Sequence, residues 1–206
     1  MDTHLRTVVI TGASTGIGRA TALHLDGLGL RVFAGVRREE DGEALSRQAS
    51  DRLTPVRLDV TDSNSIAEAV AVVDHETSGH LDGLVNNAGL SINGPLEMVP
   101  IEQVEMLMKV NVIGLTAVTQ AFLPFLRNSR GRIVNISSGH GLLAIPDKSA
   151  YAASKFAVQA ISDALRVELR PFGVAVSCLA VGKVGTAVLD KIVAEREAMV
   201  RDAGPD

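Results

Sequence analysis

Short apolar, β-branched runs alternate along this chain with longer stretches whose apolar residues recur every three or four positions. Thr7–Thr11, Arg31–Val36, Leu53–Leu58, Leu81–Val85, Gly131–Ser137 and Val174–Leu179 predict six strands, several of them apolar on both faces. Between them Arg19–Leu28, Gly42–Ser50, Asn64–Thr77, Ile101 to about Arg127, and a segment following Lys148 to about Arg170 predict helices. Pro55 places the third strand near a sheet edge, because proline cannot donate to a central ladder. Thr61-Asp62-Ser63 offers a cap for the third helix, Pro124 should kink or end the fourth, and Pro171-Phe-Gly173 stops the fifth. Strands alternating with helices, without repeats or a linker, predict one α/β domain over residues 1–206 built on a doubly wound parallel sheet.

Composition narrows the picture. Hydrophobic residues make up 46% of the chain and aromatics 3%, so Val, Leu, Ile and Ala must build the core. A net charge of −4, with no long run of either sign, gives no electrostatic case for a nucleic-acid partner. No uninterrupted apolar run approaches the roughly 20 residues of a membrane span. Met1–Arg6 lacks a signal-peptide pattern. Cys178 is the single cysteine, which excludes an internal disulfide and suits a reducing, cytoplasmic compartment; its apolar neighbours read as strand. No cluster of His, Cys and carboxylates suggests a metal.

The candidate chemistry lies where strands end. The first strand runs into Gly12-Ala-Ser-Thr-Gly16-Ile-Gly18 and then a helix, the context in which a glycine turn cradles a pyrophosphate. Gly12 permits the tight turn, Gly16 the approach of an anion to backbone N–H groups, and Gly18 close packing of helix on strand. The second strand ends at Val36-Arg37-Arg38, where NAD-selective folds place a carboxylate for the ribose 2′-OH. Two guanidiniums there suit a 2′-phosphate; they could equally be a solvated pair balanced by Glu39, Glu40 and Asp41. Asp59 could accept from an adenine amino group or cap local backbone. Asn86-Asn87-Ala88-Gly89 suits a crowded backbone beside a ligand. Asn111 interrupts an apolar stripe, as a satisfied helix–helix contact or a post in a proton relay.

Tyr151-Ala-Ala-Ser-Lys155 is the chemical centre. Four residues apart on a helix, phenol and ammonium share a face. A cation beside a phenol favours the phenolate and lowers a pKa of about 10, fitting the group to exchange a proton with an alcohol. Such a pair also arises on surfaces, but this is the only tyrosine in the chain.

Taken in order, Thr11-Gly12-x-x-x-Gly16-x-Gly18, Asp59, Asn86-Asn87-Ala88-Gly89, Asn111, Ser138 and Tyr151-x-x-x-Lys155 resemble the short-chain dehydrogenase/reductase family. The match spans about Thr7 to Thr186, and segments such as Arg57-Leu-Asp-Val-Thr61 are similar to its hydroxysteroid and retinol dehydrogenase branches. The resemblance implies a Rossmann-like sheet ordered 3-2-1-4-5-6, with the usual seventh strand absent. It implies Tyr151 as general acid/base, Lys155 lowering its pKa and binding ribose hydroxyls, Ser138 rather than Ser137 holding the substrate oxygen, and Asn111 binding a water. Cofactor contacts are implied for Gly12, Ser14, Thr15, Gly16, Ile17, Gly18, Arg37, Arg38, Asp59, Val60, Asn86, Ala88, Gly89, Tyr151, Lys155, Gly182, Val184 and Thr186, with NADP(H) favoured over NAD(H). Val181 stands where the family has proline, and the chain stops at Asp206, leaving 187–206 as a partial substrate-lid helix. The expected substrate is a hydrophobic secondary alcohol or its ketone, bound among Leu96, Met98, Val99, Leu142, Leu143 and Ile145; His140 could face it, though a solvent-facing loop position is the first expectation. A 3-oxoacyl thioester reductase and a non-catalytic dinucleotide-binding regulator are the alternatives. Helices 101–127 and 149–170 are the expected homodimer or homotetramer interface.

Overall fold

The computed structural model of this protein describes residues 5–182. The expectations for Val184, Thr186 and residues 187–206, and with them the missing seventh strand, lie outside the described residues. Six parallel strands, β1 (Thr7–Ile10), β2 (Arg31–Val36), β3 (Leu53–Arg57), β4 (Gly83–Asn86), β5 (Arg132–Ser138) and β6 (Ala175–Val181), form one sheet ordered β3-β2-β1-β4-β5-β6. The doubly wound Rossmann-like order is the expected one. Pro55 sits on edge strand β3, opposite Ala34 of β2, where its missing N–H costs no ladder bond to a further strand.

Helices α1 (Gly16–Gly27), α2 (Glu39–Ser46), α3 (Ser63–Thr77), α4 (Ile101–Met108), α5 (Leu115–Ser129) and α6 (Ser149–Glu168) cover the sheet. Alternation along β1 divides the core. Val9 packs with Phe33, Leu84 and Ile133 beneath Val73 of α3 and Phe122 of α5. Val8 and Ile10 pack on the other side with Val32, Ala34, Ala22 and Leu45. Each fully buried Leu, Val or Phe contributes about 1.5–3 kcal/mol relative to exposure. Asp62 caps α3 as expected, accepting from the Asn64 N–H at 2.9 Å.

The long helix expected over 101–127 is one continuous run in three parts. A π-helical turn, Lys109–Gly114, joins α4 to α5. Gly114 is needed there, because a Cβ would come within 2.8 Å of the Val60 carbonyl oxygen. Pro124 neither ends nor interrupts α5, which runs on to Ser129. Gln120, whose carbonyl loses a donor, and Pro124 both face solvent, so water can take the freed acceptor. By length and mean hydropathy (1.4) the run Ile101–Ser129 would pass for a membrane-crossing helix, a point that counting uninterrupted apolar residues missed. Its Leu107, Leu115, Val118, Phe122 and Leu126 are nevertheless buried in this protein's core, five positions along one helix face.

The strand order reverses between β1 and β4, and loops leaving these strands in opposite directions open a crevice at their C-terminal ends. Most of the predicted chemistry that falls within the described residues gathers along this edge.

Candidate active site

A cleft of about 1240 Å³ runs along the C-terminal edge of the sheet, from Arg37 at one end to Tyr151 and Lys155 at the other. Its floor is a backbone crossing. Thr11 Oγ1 accepts from the N–H groups of Asn87 and Ala88, each at 3.0 Å. Asn87 Nδ2 returns bonds to the carbonyls of Thr11 (3.0 Å) and Gly12 (2.9 Å). At that spacing a Cβ on Gly12 (φ +65°) would lie 2.8 Å from Ala88 Cα, and one on Gly18 would run into the Gly12 carbonyl and the Asn87 amide. Gly16 (φ +57°) takes the left-handed turn into α1.

Helix α1 therefore begins at the cleft. Thr15 at its N-cap makes no side-chain cap bond and the first turn carries no acidic residue. The helix presents uncapped N–H donors and the positive end of its dipole to the space lined by Gly12, Ser14, Thr15, Gly16 and Ile17. A cradle closed to side chains and ending in free donors fits a dinucleotide's pyrophosphate.

Several expected contacts are placed differently. Gly18 packs beneath the turn and does not line the cleft. Asn86 is 2% exposed and turned away, donating to Thr119 Oγ1 (2.9 Å) and Asn135 Oδ1 (2.8 Å); its neighbour Asn87, absent from the expected contacts, lines the cleft. Asp59 does line it, and also caps its own loop, accepting from Thr61 N–H (2.9 Å) and Oγ1 (2.8 Å). Burial pushes its carboxyl up, but the Thr61 bonds, with Arg37 and Lys109 beyond, hold it below the usual range. Arg38 is outside the main cleft and forked onto Asp41. Val60, Ala88 and Gly89 line the cleft as expected, with Gly182 at its far side.

At the chemical end, Ser149 opens α6 so that Tyr151 and Lys155 stand one turn apart, the Lys155 Nζ 5.7 Å from the phenol ring centre. Lys155 is buried; its Nζ donates to the Ile136 carbonyl at 3.0 Å. Burial lowers its pKa from the ordinary 10.5 to about 8, with the nearby Cys178 thiol opposing the shift. The expected depression of the Tyr151 phenol is not found: burial pushes it up, and its bond with Ser138 pulls the other way. Ser138, not Ser137, is the hydroxyl that acts on the phenol and lines the cleft beside it. Ser137 is buried behind it, donating to the Lys155 carbonyl at 3.3 Å.

Asn111, in the π-helical turn, makes three bonds: Oδ1 accepts from Leu90 N–H (2.8 Å), and Nδ2 donates to the Leu90 carbonyl (2.9 Å) and Ser154 Oγ (3.0 Å), leaving one acceptor site on Oδ1 for the expected water. It pins the loop after β4 to α6. Its Oδ1 and the Lys155 Nζ flank the same spot, 3.4 and 3.7 Å from where a Gly89 Cβ would be.

His140 does not face solvent. Its ring is half-buried, edge-on to Tyr151 with centroids 5.9 Å apart. Lys148, which sequence reasoning missed, lies 5.5 Å from the same ring and lines the cleft; burial lowers its pKa. The only signal for either was nearness to Tyr151 in sequence. Of the expected apolar wall, Leu143 and Ile145 line the cleft, joined by Leu90, Met106 and Val110. Leu96, Met98, Val99 and Leu142 are not part of that lining. Among the described residues no group of three His, Cys, Asp or Glu side chains could hold a metal ion.

A buried lysine with one neutral partner strains the fold that holds it. A fall from 10.5 to about 8 corresponds to a destabilisation of about 3 kcal/mol, fully present below pH 8 and relieved as pH rises toward 10.5, where the unfolded chain also deprotonates. Lys155→Met should therefore unfold at higher denaturant than the parent at pH 7, with the gap closing by about pH 10. A gap that stays constant with pH would contradict the assigned cause.

Known proteins resemble this chain in sequence and fold. The bovine (Bos taurus) 17-beta-hydroxysteroid dehydrogenase type 6 is 45% identical over 185 residues, covering 89% of this chain and 58% of its own. The rat (Rattus norvegicus) mitochondrial D-beta-hydroxybutyrate dehydrogenase is 41% identical over 187 residues, covering 86% and 54%. The chain thus spans little more than half the length of these relatives. The crystal structure of 3-ketoacyl-(acyl-carrier-protein) reductase from Brucella melitensis, complexed with NADH, superposes with a TM-score of 0.87 at 26% identity, over 94% of this chain and 82% of that one. With the sequence profile of the short chain dehydrogenases matching residues 6–197, the chain belongs to the short-chain dehydrogenase family.

Proposed function

We propose that this chain is an oxidoreductase that interconverts a secondary alcohol and its ketone with NADP(H) in preference to NAD(H). The observation that carries the reading is the Ser138–Tyr151–Lys155 group at one end of a cleft whose other end is a glycine cradle. When bound, the nicotinamide would supply a hydride for reduction or accept one in oxidation. Tyr151 would give its hydroxyl proton to the substrate oxygen, or take one from it. Ser138, whose hydroxyl favours ionisation of that phenol, would hold the substrate oxygen beside it. Lys155 is near enough to stabilise the phenolate, and a ribose hydroxyl arriving at Nζ would add a second partner to its lone carbonyl bond. Support for NADP(H) comes from Val36 standing where a carboxylate would repel a 2′-phosphate, with Arg37 lining the cleft beside it.

The apolar wall of Leu90, Met106, Val110, Leu143 and Ile145 supports a hydrophobic substrate. A second reading, a hydroxy acid or keto acid, is favoured by Lys148, whose half-buried ammonium would meet a substrate carboxylate beside Tyr151. Self-association through α4–α5 and α6 belongs to the same proposal. Exposed Ile101 (63%), Ile113 (62%) and Val167 (73%) stand on those elements with nothing apolar covering them among the described residues.

Tyr151→Phe should bind NADPH as the parent does, more tightly than NADH, while turnover falls by about 10²–10⁴-fold; near-parental turnover would remove Tyr151 from its role. Lys148→Met separates the two substrate readings. It should raise KM for a 3-hydroxy acid by about tenfold or more and leave a neutral alcohol unaffected if the acid reading holds. Light scattering of the purified chain should give a dimer or tetramer, and a monomer at micromolar concentration would refute the helical interface.

A further inference from the structure

A second cavity, of about 1000 Å³, adjoins the adenosine end of the cleft and shares Val36 and Arg37 with it. Four arginines reach it: Arg37, Arg38, Arg47 and Arg57. They are not equivalent. Arg38 is held on two points by Asp41, with Nε to Oδ2 and Nη2 to Oδ1 both at 3.0 Å, and Arg47 lies 3.8 Å from Glu43. Both pairs are formed with carboxylates of α2. Arg37 and Arg57 make no ion pair among the described residues. Arg57 lies directly across the β2–β3 ladder from Val36, the residue that precedes Arg37.

We propose that Arg37 and Arg57 form the anion site for the adenosine 2′-phosphate and that Asp41 withholds Arg38 from it, so that Asp41 limits the discrimination between NADP(H) and NAD(H). The proposal deepens the cofactor reading above and rests on it. Strand pairing fixes Arg57 beside the ribose end, giving a dianion two guanidiniums from adjacent strands. Arg38 carries the same charge but its planar fork, the feature that lets arginine grip phosphate, is already filled. Its side chain is 71% exposed, against 21% for the Asp41 side chain, so the carboxylate is the fixed member and the guanidinium the movable one. An exposed pair of this kind is weak, and its loss should shift affinity by a small, measurable factor.

The test is direct titration of NADPH and NADH into the full chain, read by cofactor fluorescence or calorimetry rather than turnover, with thermal unfolding as a control on folding. Asp41→Asn keeps the shape but releases the fork. It should tighten NADPH about two- to fivefold and leave NADH unchanged. Asp41→Ser should do the same, and adding Arg38→Gln to either should cancel the gain. Arg57→Gln should weaken NADPH by about threefold or more without touching NADH. NADPH affinity unmoved by Asp41→Asn, moved together with NADH, or still raised when Arg38 is gone would overturn the role of Asp41. Unaltered NADPH binding in Arg57→Gln would overturn that of Arg57. If the parent binds both cofactors equally, the NADP(H) preference fails, and the Asp41 proposal is decided by the same shift in the ratio.

Discussion

The crossing of two loops beneath the cleft is the constraint on which the site depends. Four hydrogen bonds tie Thr11-Gly12 to Asn87-Ala88 where the chain leaves β1 and β4, two accepted by the Thr11 hydroxyl and two donated by the Asn87 side-chain amide. These bonds bring the backbone at Gly12 close to Ala88, a distance no side chain at position 12 could tolerate. The same closeness settles where α1 begins, and so where its uncapped N–H groups point. It also sets the level of Gly89, which lies between the Asn111 amide and the Lys155 ammonium. A polar floor thus positions the start of α1 and the Tyr151–Lys155 pair of α6 together, though they come from opposite ends of the chain.

Above that floor the electrostatics are those of a site prepared for a partner. Lys155 is buried with a single backbone acceptor, and the phenol of Tyr151 is held above its ordinary range. In isolation both shifts oppose the ionised forms that proton exchange needs. Burial thus keeps the phenol protonated and the ammonium under stress at neutral pH.

Legibility in the sequence followed the range of each interaction. The sheet was readable because apolar runs, glycine turns and proline positions report on local geometry, and Pro55 even reported the edge. Tyr151 and Lys155 were readable because a helix repeat places them on one face. Gly12, Gly16 and Gly18 were readable from the strand and helix on either side. What failed depended on which way single side chains turn, which no repeat in the sequence fixes. Asn86 and Asn87 are adjacent amides, and only alternation at the end of β4 decides that one turns inward to Thr119 and Asn135 and the other toward Thr11. His140 and Lys148 belong to a loop whose path sets them around Tyr151, which no periodicity announces. Arg37 and Arg38 look interchangeable until Asp41 is seen holding one of them.

The π-helical turn at Lys109–Gly114 has a consequence for the whole helical layer. A regular helix advances about 100° per residue, so one surplus residue swings everything after it by that angle. Here the swing lets Asn111 point at Leu90 and Ser154 while Leu107 before it and Leu115, Val118 and Phe122 after it are all buried, the last two in the core beside the sheet. The turn acts as a phase adjuster between two apolar stripes that would otherwise fall out of step. Its length is for that reason as tightly specified as any side chain in the cleft, since losing or gaining one residue would rotate α5 off the core it covers.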